Sequence, residues 1–367
     1  MAVSPDDAEH LAADVAAEFG ATERTVMGLL RDLLTPGMSR PGWARARTAA
    51  GGLLRRALRR LIPGLRQRAT AAAEQAVTQA YRIGDRAARM ELEQHQLPAG
   101  PDDLTVTPTQ RLARALVEDF EPVYARILRQ PEDVYREVIA RASEGVLEGQ
   151  ITRQRAAQRA LDDFADRGIT GFVDSRGRAW NLHSYVEMAV RTVCGRAAIQ
   201  AHTDRLTAAG HTLVSVSAPG GSCPLCTPWE GKILALTGPA GKHDMRLPHA
   251  SAPGRTVTVR VSGSLMEARA AGFQHPNCRH SVSLYLPGVS VLPTAPPDAQ
   301  SYDSVQEQRR LERQVRRWKR REQTALDDEA RTAARRRIRG YQADLRQLTR
   351  ETGQRRKPQR EQITYAH

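Results

Sequence analysis

Apolar positions recur at three- and four-residue intervals over most of this chain, and the period changes to two in one stretch only. From Asp6 to Leu34 the residues Leu11, Val15, Phe19, Val26, Leu29, Leu30 and Leu33 keep a helical period that Thr35-Pro36-Gly37 stops, which predicts one helix, or two broken near Gly20. Gly42 to Ile62 predicts a second, Arg-rich amphipathic helix carrying Leu53, Leu54, Ala57, Leu58 and Leu61. Leu65 to Leu97 predicts a long Ala-, Gln- and Arg-rich helix whose stripe of Ala, Val77, Ile83 and Met90 needs a partner to cover it, and Pro98-Ala99-Gly100-Pro101 ends it. Thr109 caps a predicted helix over 111–129, with Leu112, Leu116, Phe120, Tyr124 and Leu128 on one face. Pro131 is placed in the first turn of the next helix, which runs through Val134, Val138, Val146 and Ile151 and continues over Thr152 to Asp166. Asp174-Ser175-Arg176-Gly177-Arg178 reads as a turn, and a further helix over 182–209 ends at Gly210.

The period then switches to two. His211 to Ser217, Arg255 to Val261 and Ser281 to Leu286 read as three short strands. The expected fold is therefore mainly α with a small α+β domain: a short antiparallel sheet near 211–287 packed on the 182–209 helix. The predicted organisation is a helical region over 1–100, a helical domain over 101–210, the α+β domain over 211–288 and a linker over 289–300. A basic helical tail over 301–367 follows, punctuated by Val305, Leu311, Val315, Trp318, Leu326, Ile338, Leu345 and Leu348, with its last dozen residues expected to be disordered.

Charge sharpens this picture. The 367 residues carry a formal charge of +14, which points to a polyanionic neighbour, and with aromatics at only 5% any core must rest on Ala, Leu, Val and Ile. The positive charge is concentrated in two arms. Nine arginines and no acid lie between Arg40 and Arg68, and nineteen Lys and Arg face ten acids from Ser301 onward, so the rest of the chain is close to neutral. The first arm can be read as a solvated or protein-docking helix face or, secondly, as a surface for DNA or an acidic membrane; the tail can be read as docking on a partner or, secondly, as lying on nucleic acid. The residues of the second reading are Arg55, Arg56, Arg59 and Arg60 in the first arm and Arg316, Arg317, Lys319, Arg320, Arg335, Arg336 and Arg337 in the second. No run of 18 apolar residues predicts a membrane span, and the acidic start (Asp6, Asp7, Glu9) is unlike a secretory signal.

The candidate chemistry sits in the stretch where the period changes. Three of the four cysteines fall in Ser222-Cys223-Pro224-Leu225-Cys226-Thr227-Pro228-Trp229-Glu230-Gly231-Lys232 and His275-Pro276-Asn277-Cys278-Arg279-His280. Cys223-x-x-Cys226 on a Gly/Pro turn lets two thiolates converge, and His275-x-x-Cys278 repeats the spacing, so the two half-sites can close one tetrahedral zinc site, with His280 as an alternative fourth ligand. A metal-free, reduced, hydrogen-bonded knot and a redox Cys-x-x-Cys are the competing readings. Low cysteine usage disfavours a disulfide framework, and Pro228, Trp229 and Gly231 suit a turn better than the helix start a thioredoxin-like motif needs. Trp229 is expected to pack over the cysteines, Gly231 to make a left-handed bend and Lys232 to precede a strand. His183, His202, His243 and His249 read as lone histidines, with His249 an outside candidate ligand. No nucleotide-binding glycine pattern and no Gly-x-Ser-x-Gly is present, and Cys226 with His275 makes a poor nucleophile and base in a loop stiffened by proline.

These residues carry a resemblance. Tyr185-Val186-Glu187-Met188 with Arg191-Thr192, the strand Thr212 to Ser217, Cys-x-x-Cys-x-x-Trp-Glu-Gly-Lys, His-Pro-Asn-Cys-Arg-His and the strand to Leu286-Pro287-Gly288 resemble phage minor capsid proteins over about 110–290. The similarity is nearest to the phage minor capsid protein 2 group and more distant to Mu F-like head morphogenesis proteins, which often carry a second cysteine where this chain has His280. The resemblance implies a structural, non-enzymatic protein of the virion, present in the host cytoplasm during assembly and in several copies per particle. It implies placement in the inner head or at the portal vertex, beside portal, major capsid and scaffold proteins. Its basic arms would contact packaged double-stranded DNA without base specificity, and a structural zinc would hold the knot. The competing class is a zinc-dependent nucleic-acid-processing or toxin-type enzyme delivered with the head, for which Glu230 is the acid nearest in sequence to the first cysteine pair. A stand-alone zinc-ribbon DNA-binding protein is disfavoured by the neutral loop between the half-sites.

Overall fold

The structure is a computed structural model that describes residues 5–101, 107–147, 152–173, 177, 179–276, 278–296 and 301–363. In chain order the elements are α1 Pro5–Leu34, α2 Trp43–Gln94, α3 Thr107–Glu118, α4 Glu121–Leu147, α5 Arg153–Arg167, β1 Thr170–Val173, β2 Ala179–Asn181, α6 Leu182–Ala208, β3 Leu213–Val216, β4 Ile233–Ala235, β5 His243–Pro248, β6 Thr256–Ser264, α7 Leu265–Ala270, β7 Val282–Leu284, α8 Tyr302–Thr324 and α9 Asp328–Thr352. The mainly helical fold with a small α+β part is as expected. No described helix is long and apolar enough to cross a membrane.

The chain divides into two compact units: one from Met1–Ala12, Ala73–Leu116 and Met188–Val305, the other from Ala13–Ala72, Val117–Glu187 and Gln306–His367. Each unit is thus assembled from three separated stretches.

The second unit is all but helical. The apolar face of α1 is buried at Val15, Phe19, Val26, Met27, Leu30 and Leu34, and Phe19 meets Phe120 edge-on at 5.0 Å and stacks on Tyr124 at 5.9 Å. Trp43 donates its indole N–H to the Leu34 carbonyl, and the Tyr135 hydroxyl donates to Arg47 O. Two prolines expected at helix boundaries lie inside helices: Pro63 within α2 and Pro131 within α4. The buried stripe Leu54, Leu58, Ile62, Leu65, Ala69 continues across Pro63, and that burial outweighs the roughly 3 kcal/mol an interior proline costs. The helix expected over 111–129 is instead divided between α3 and α4 around Asp119 and Phe120. α5 begins afresh, with Thr152 accepting from the Arg155 N–H as its N-cap. Between α5 and α6 the strands β1 and β2 pair antiparallel; of the turn expected there, 174–176 and 178 lie outside the described residues.

The tail is a helical hairpin. Asp327 caps α9 by accepting from the Ala330 N–H, Gly353 ends it in the left-handed region, and Leu311, Val315, Ile338 and Leu345 form its small core. The expected disorder of the last dozen residues is overturned as far as they are described. Glu361 is buried and paired with Arg356 and Gln342, and Ile363 is 6% exposed. Residues 364–367 lie outside the described residues.

The first unit holds the sheet, in the order β5-β6-β4-β3-β7. It is mixed: β4 runs parallel to β6, and the other pairs are antiparallel. The sequence reading missed β4 and β5, whose short runs lack a clean apolar alternation over enough residues. One face packs Val214, Val216, Leu234, Val282 and Leu284 against Ala88, Leu92, Ile199 and Leu206 of α2 and α6; the other gathers Leu213, Ile233, Val259 and Val261. The two helices meet at Gly84, where a Cβ would stand 1.9 Å from the Ala198 carbonyl oxygen, so only glycine permits this approach. Glu91 ties helices to sheet by accepting from His202 Nε2 at 2.9 Å and from the Leu284 N–H at 3.1 Å.

Candidate metal centre

The sheet explains why two half-sites some fifty positions apart in sequence meet. β3 and β7 are antiparallel neighbours with Val216 opposite Val282, and Ser217 and Ser281 prolong the pairing: Ser217 N–H donates to Ser281 O, and Ser281 N–H to Ser217 Oγ. The loop after β3 and the loop before β7 are thereby held side by side.

Each loop is a local turn. The Cys223 carbonyl accepts from the Cys226 and Thr227 amides at 3.0 and 3.1 Å, and a single 3-10 turn, Thr227–Trp229, follows. Gly231 has φ +65° and a Cβ there would lie 2.6 Å from Pro293 O, and Lys232 precedes β4, as the sequence predicted; Trp229, Cys223 and Cys278 each pack against the core of the sheet. In the second loop the Cys278 N–H returns to His275 O at 2.9 Å; Asn277 lies outside the described residues.

The donor atoms form two overlapping triads, Cys223–Cys226–His275 and Cys226–Cys278–His280, with Cys226 in both. Cys226 Sγ is 3.5 Å from Cys278 Sγ, and Cys278 Sγ is 3.4 Å from His280 Nδ1. Ligands of one tetrahedral zinc stand about 3.5–3.8 Å apart, from bonds of about 2.3 Å to sulfur and 2.0–2.1 Å to nitrogen, so these two separations suit a shared ion. Cys223 Sγ and His275 Nε2, at 2.8 Å, are closer than that.

Both histidines are oriented by their second nitrogen. His275 Nδ1 donates to Pro276 O at 2.7 Å, leaving Nε2 toward Cys223. His280 Nε2 is 2.9 Å from Glu230 Oε1, which also accepts from Ser222 Oγ, leaving Nδ1 toward Cys278. A carboxylate behind a histidine is the usual outer support of a metal ligand. Cys226 and Cys278 share a hydrogen bond, and that bond, with those from His280, pulls the Cys278 thiol below its ordinary range. The same contact and burial push the Cys226 thiol up. Burial works against the His280 cation, but the Cys278 sulfur and the Glu230 carboxylate outweigh it and its pKa is raised. A Cys278–His280–Glu230 line could also serve a nucleophile, yet here the Cys278 sulfur is occupied by its hydrogen bond with Cys226.

The other histidines stand apart. His202 is buried on Glu91, His183 is buried beside Glu187, His243 Nδ1 donates to Gly241 O, and His249 Nδ1 accepts from the Ser251 N–H. Cys194 is buried, its thiol pushed up to about 12 by desolvation. Sequence reasoning had noted Glu230 only as the nearest acid; its partnership with His280 links positions fifty apart, and no local pattern announces it.

The candidate nucleic-acid residues separate into two groups. Arg56, Arg59, Arg60, Arg336 and Arg337 are exposed, Arg337 lying 5.7 Å over the Trp318 ring. Arg55 is exposed but paired with Glu132, and Arg335 with Glu322. Arg317 pairs with Asp166, and Lys319 donates to Gln362. Arg316 and Arg320 do not fit the expectation of solvent-facing cations: they are 8% and 6% exposed, and donate to the Arg360 and Ala165 carbonyls.

Comparison with known proteins agrees with the motifs. The family described as Phage minor capsid protein 2 matches residues 3–350. A protein of Lactococcus phage LL-H described as "Structural protein" is 28% identical over 230 residues, which is 59% of this chain and 58% of that relative, so the chain spans less than two thirds of the relative's length. No solved structure matches.

Proposed function

Because the chain belongs to the phage minor capsid protein 2 family, we propose that it is a structural component of the virion head that performs no reaction. In this reading it joins the inner head or portal vertex, in several copies beside portal, major capsid and scaffold proteins, and lies against packaged double-stranded DNA. The observation that carries the reading is the family match over nearly the whole chain. The exposed Arg56, Arg59, Arg60, Arg336 and Arg337 are the DNA-facing cations; Arg316 and Arg320 are withdrawn from that role. Such contact neutralises phosphates without reading bases, so affinity falls steeply with salt. Purified heads must contain the chain, and cross-linking in them should join it to portal or shell proteins; heads without it would refute the assignment.

The knot's part is to fix a small, aromatic-poor unit around one structural zinc. Cys223, Cys226 and Cys278 would supply sulfur, and the separations support His280, backed by Glu230, as the histidine, with His275 holding Cys223. Elemental analysis should give about one zinc per chain, lost in Cys226→Ser together with about 10 °C of thermal midpoint, some 3–4 kcal/mol for a unit of this size. His280→Ala should lose the metal and His275→Ala retain it. Absence of zinc from the unaltered chain would leave the reduced, hydrogen-bonded knot.

A further inference from the structure

A second concave site lies beside the knot. A cavity of about 640 Å³ is lined by Trp229, Lys232, Lys242, His243, Asp244 and Arg260, among others. Read along the chain these residues are scattered singly through a loop that looks neutral. The sheet assembles them. β6 lies between β4 and β5, and Val261 is the register partner of both Ile233 and His243; β4 runs parallel to β6 and β5 antiparallel, so Lys232 lies on the Arg260 side of that level and Lys242 on the Ser262 side, flanking Val261. Arg260 is the residue before Val261. Lys232, Lys242 and Arg260 are all exposed, and the one acid lining the cavity among the described residues, Asp244, is the partner of Arg260 at 3.4 Å.

Three cations against one acid make the hollow a place for an anion. Two further observations narrow its chemistry. Trp229 offers an aromatic ring inside a cationic hollow, which suits a planar group attached to a phosphate. Lys232 and Lys242 stand before strands separated by β6, at least about 10 Å apart by strand spacing, which suits two phosphates of a chain better than one. A duplex presents its phosphates on a convex surface with its bases covered, whereas an unpaired strand can lay a base into a hollow.

We infer that this hollow binds single-stranded nucleic acid, with a base against Trp229 and flanking phosphates on Lys232, Lys242 and Arg260. The site is independent of the arginine arms.

The test uses the full chain carrying Arg56→Gln/Arg59→Gln/Arg60→Gln, so that the α2 arm does not contribute, and a fluorescein-labelled oligothymidylate of about ten nucleotides, a length in the range one binding module covers. Anisotropy should report binding with tryptophan quenching, and a log–log salt slope of about −2, as three phosphate contacts on a single strand require. Lys242→Glu/Arg260→Glu should weaken binding at least about tenfold, by reversing two of those contacts. Asp244→Asn, which removes the one acid, should tighten binding, an outcome that misfolding cannot imitate. The inference is overturned if the double reversal leaves affinity within about twofold, if Asp244→Asn does not tighten it, or if polyglutamate or duplex DNA displaces the probe as well as unlabelled oligothymidylate does.

Discussion

Two arginine-rich segments of similar composition, the first half of α2 and the helix α8, are put to opposite uses in the same unit. In α2 the guanidiniums of Arg56, Arg59 and Arg60 stand in solvent, and Arg55, Arg66 and Arg68 stay more than half exposed while pairing with Glu132, Glu121 and Glu18, Arg66 also lying over the Tyr124 ring. In α8, Arg316 and Arg320 are buried, and Arg317 and Arg321 converge on Asp166 of α5, with Arg321 also over Trp318 at 4.6 Å. The number of arginines does not distinguish the two. What distinguishes them is how far packing draws the guanidinium out of solvent around its partner, and that depends on the fold.

The comparison can be broken most severely at Asp166. Its carboxyl is desolvated, yet hydrogen bonds from Arg317 and Arg321 hold it below the usual range, so Asp166→Ala leaves two half-buried guanidiniums facing each other. We expect a loss of about 3 kcal/mol in thermal or urea unfolding, near the lower figure for breaking a buried pair because the site keeps some solvent. Glu132→Ala, which frees the exposed Arg55, should cost under about 1 kcal/mol. Equal losses would mean that the two arms are alike after all.

A pH titration sharpens the contrast on the α8 side. Burial, with Arg316 and Arg320 adding to it, pushes the His183 imidazole down to about 4, against the opposing pull of Glu187 and the Ala16 carbonyl. The folded protein therefore refuses a proton that the unfolded chain accepts near pH 6.5, so stability is full above that pH, falls as pH drops from 6.5 toward 4, and levels below. The full contribution is about 3 kcal/mol, and His183→Gln should flatten that part of the stability–pH curve.

The smallest change in stability belongs to α2. Arg56→Gln/Arg59→Gln/Arg60→Gln should shift unfolding by no more than about 0.5 kcal/mol. If these cations meet duplex phosphates, the salt slope of DNA retention should become shallower by about 3. Arg316→Gln/Arg320→Gln should do the reverse, lowering stability and leaving the slope where it was.

What could be read in the sequence was whatever lies within a few residues of itself. The stripe of α1, the switch of period at β3 and the paired two-residue gaps of the knot are local, and all reappear in the fold. Pro63 and Pro131 misled because a proline's cost is local while the burial that overrides it, at Leu58, Ile62 and Leu65 for the first, comes from the rest of the unit. β4 was hidden because all three of its residues are buried, leaving no alternation to see, and β5 because its alternation is carried by only Met245 and Leu247. Glu230 behind His280, Asp166 under α8 and the Lys232–Lys242–Arg260 hollow are products of register and packing, and no window of sequence contains them.

The two sulfurs of Cys226 and Cys278, 3.5 Å apart, also set how the purified chain keeps in air. Dioxygen can take the two electrons and two protons of that pair and leave a covalent link between the loops, and an ion then finds two donors fewer. A preparation without reductant would therefore age into a metal-poor, cross-linked form whose fraction rises with storage time, and a thiol-reactive dye, consuming fewer groups each day, would read its age.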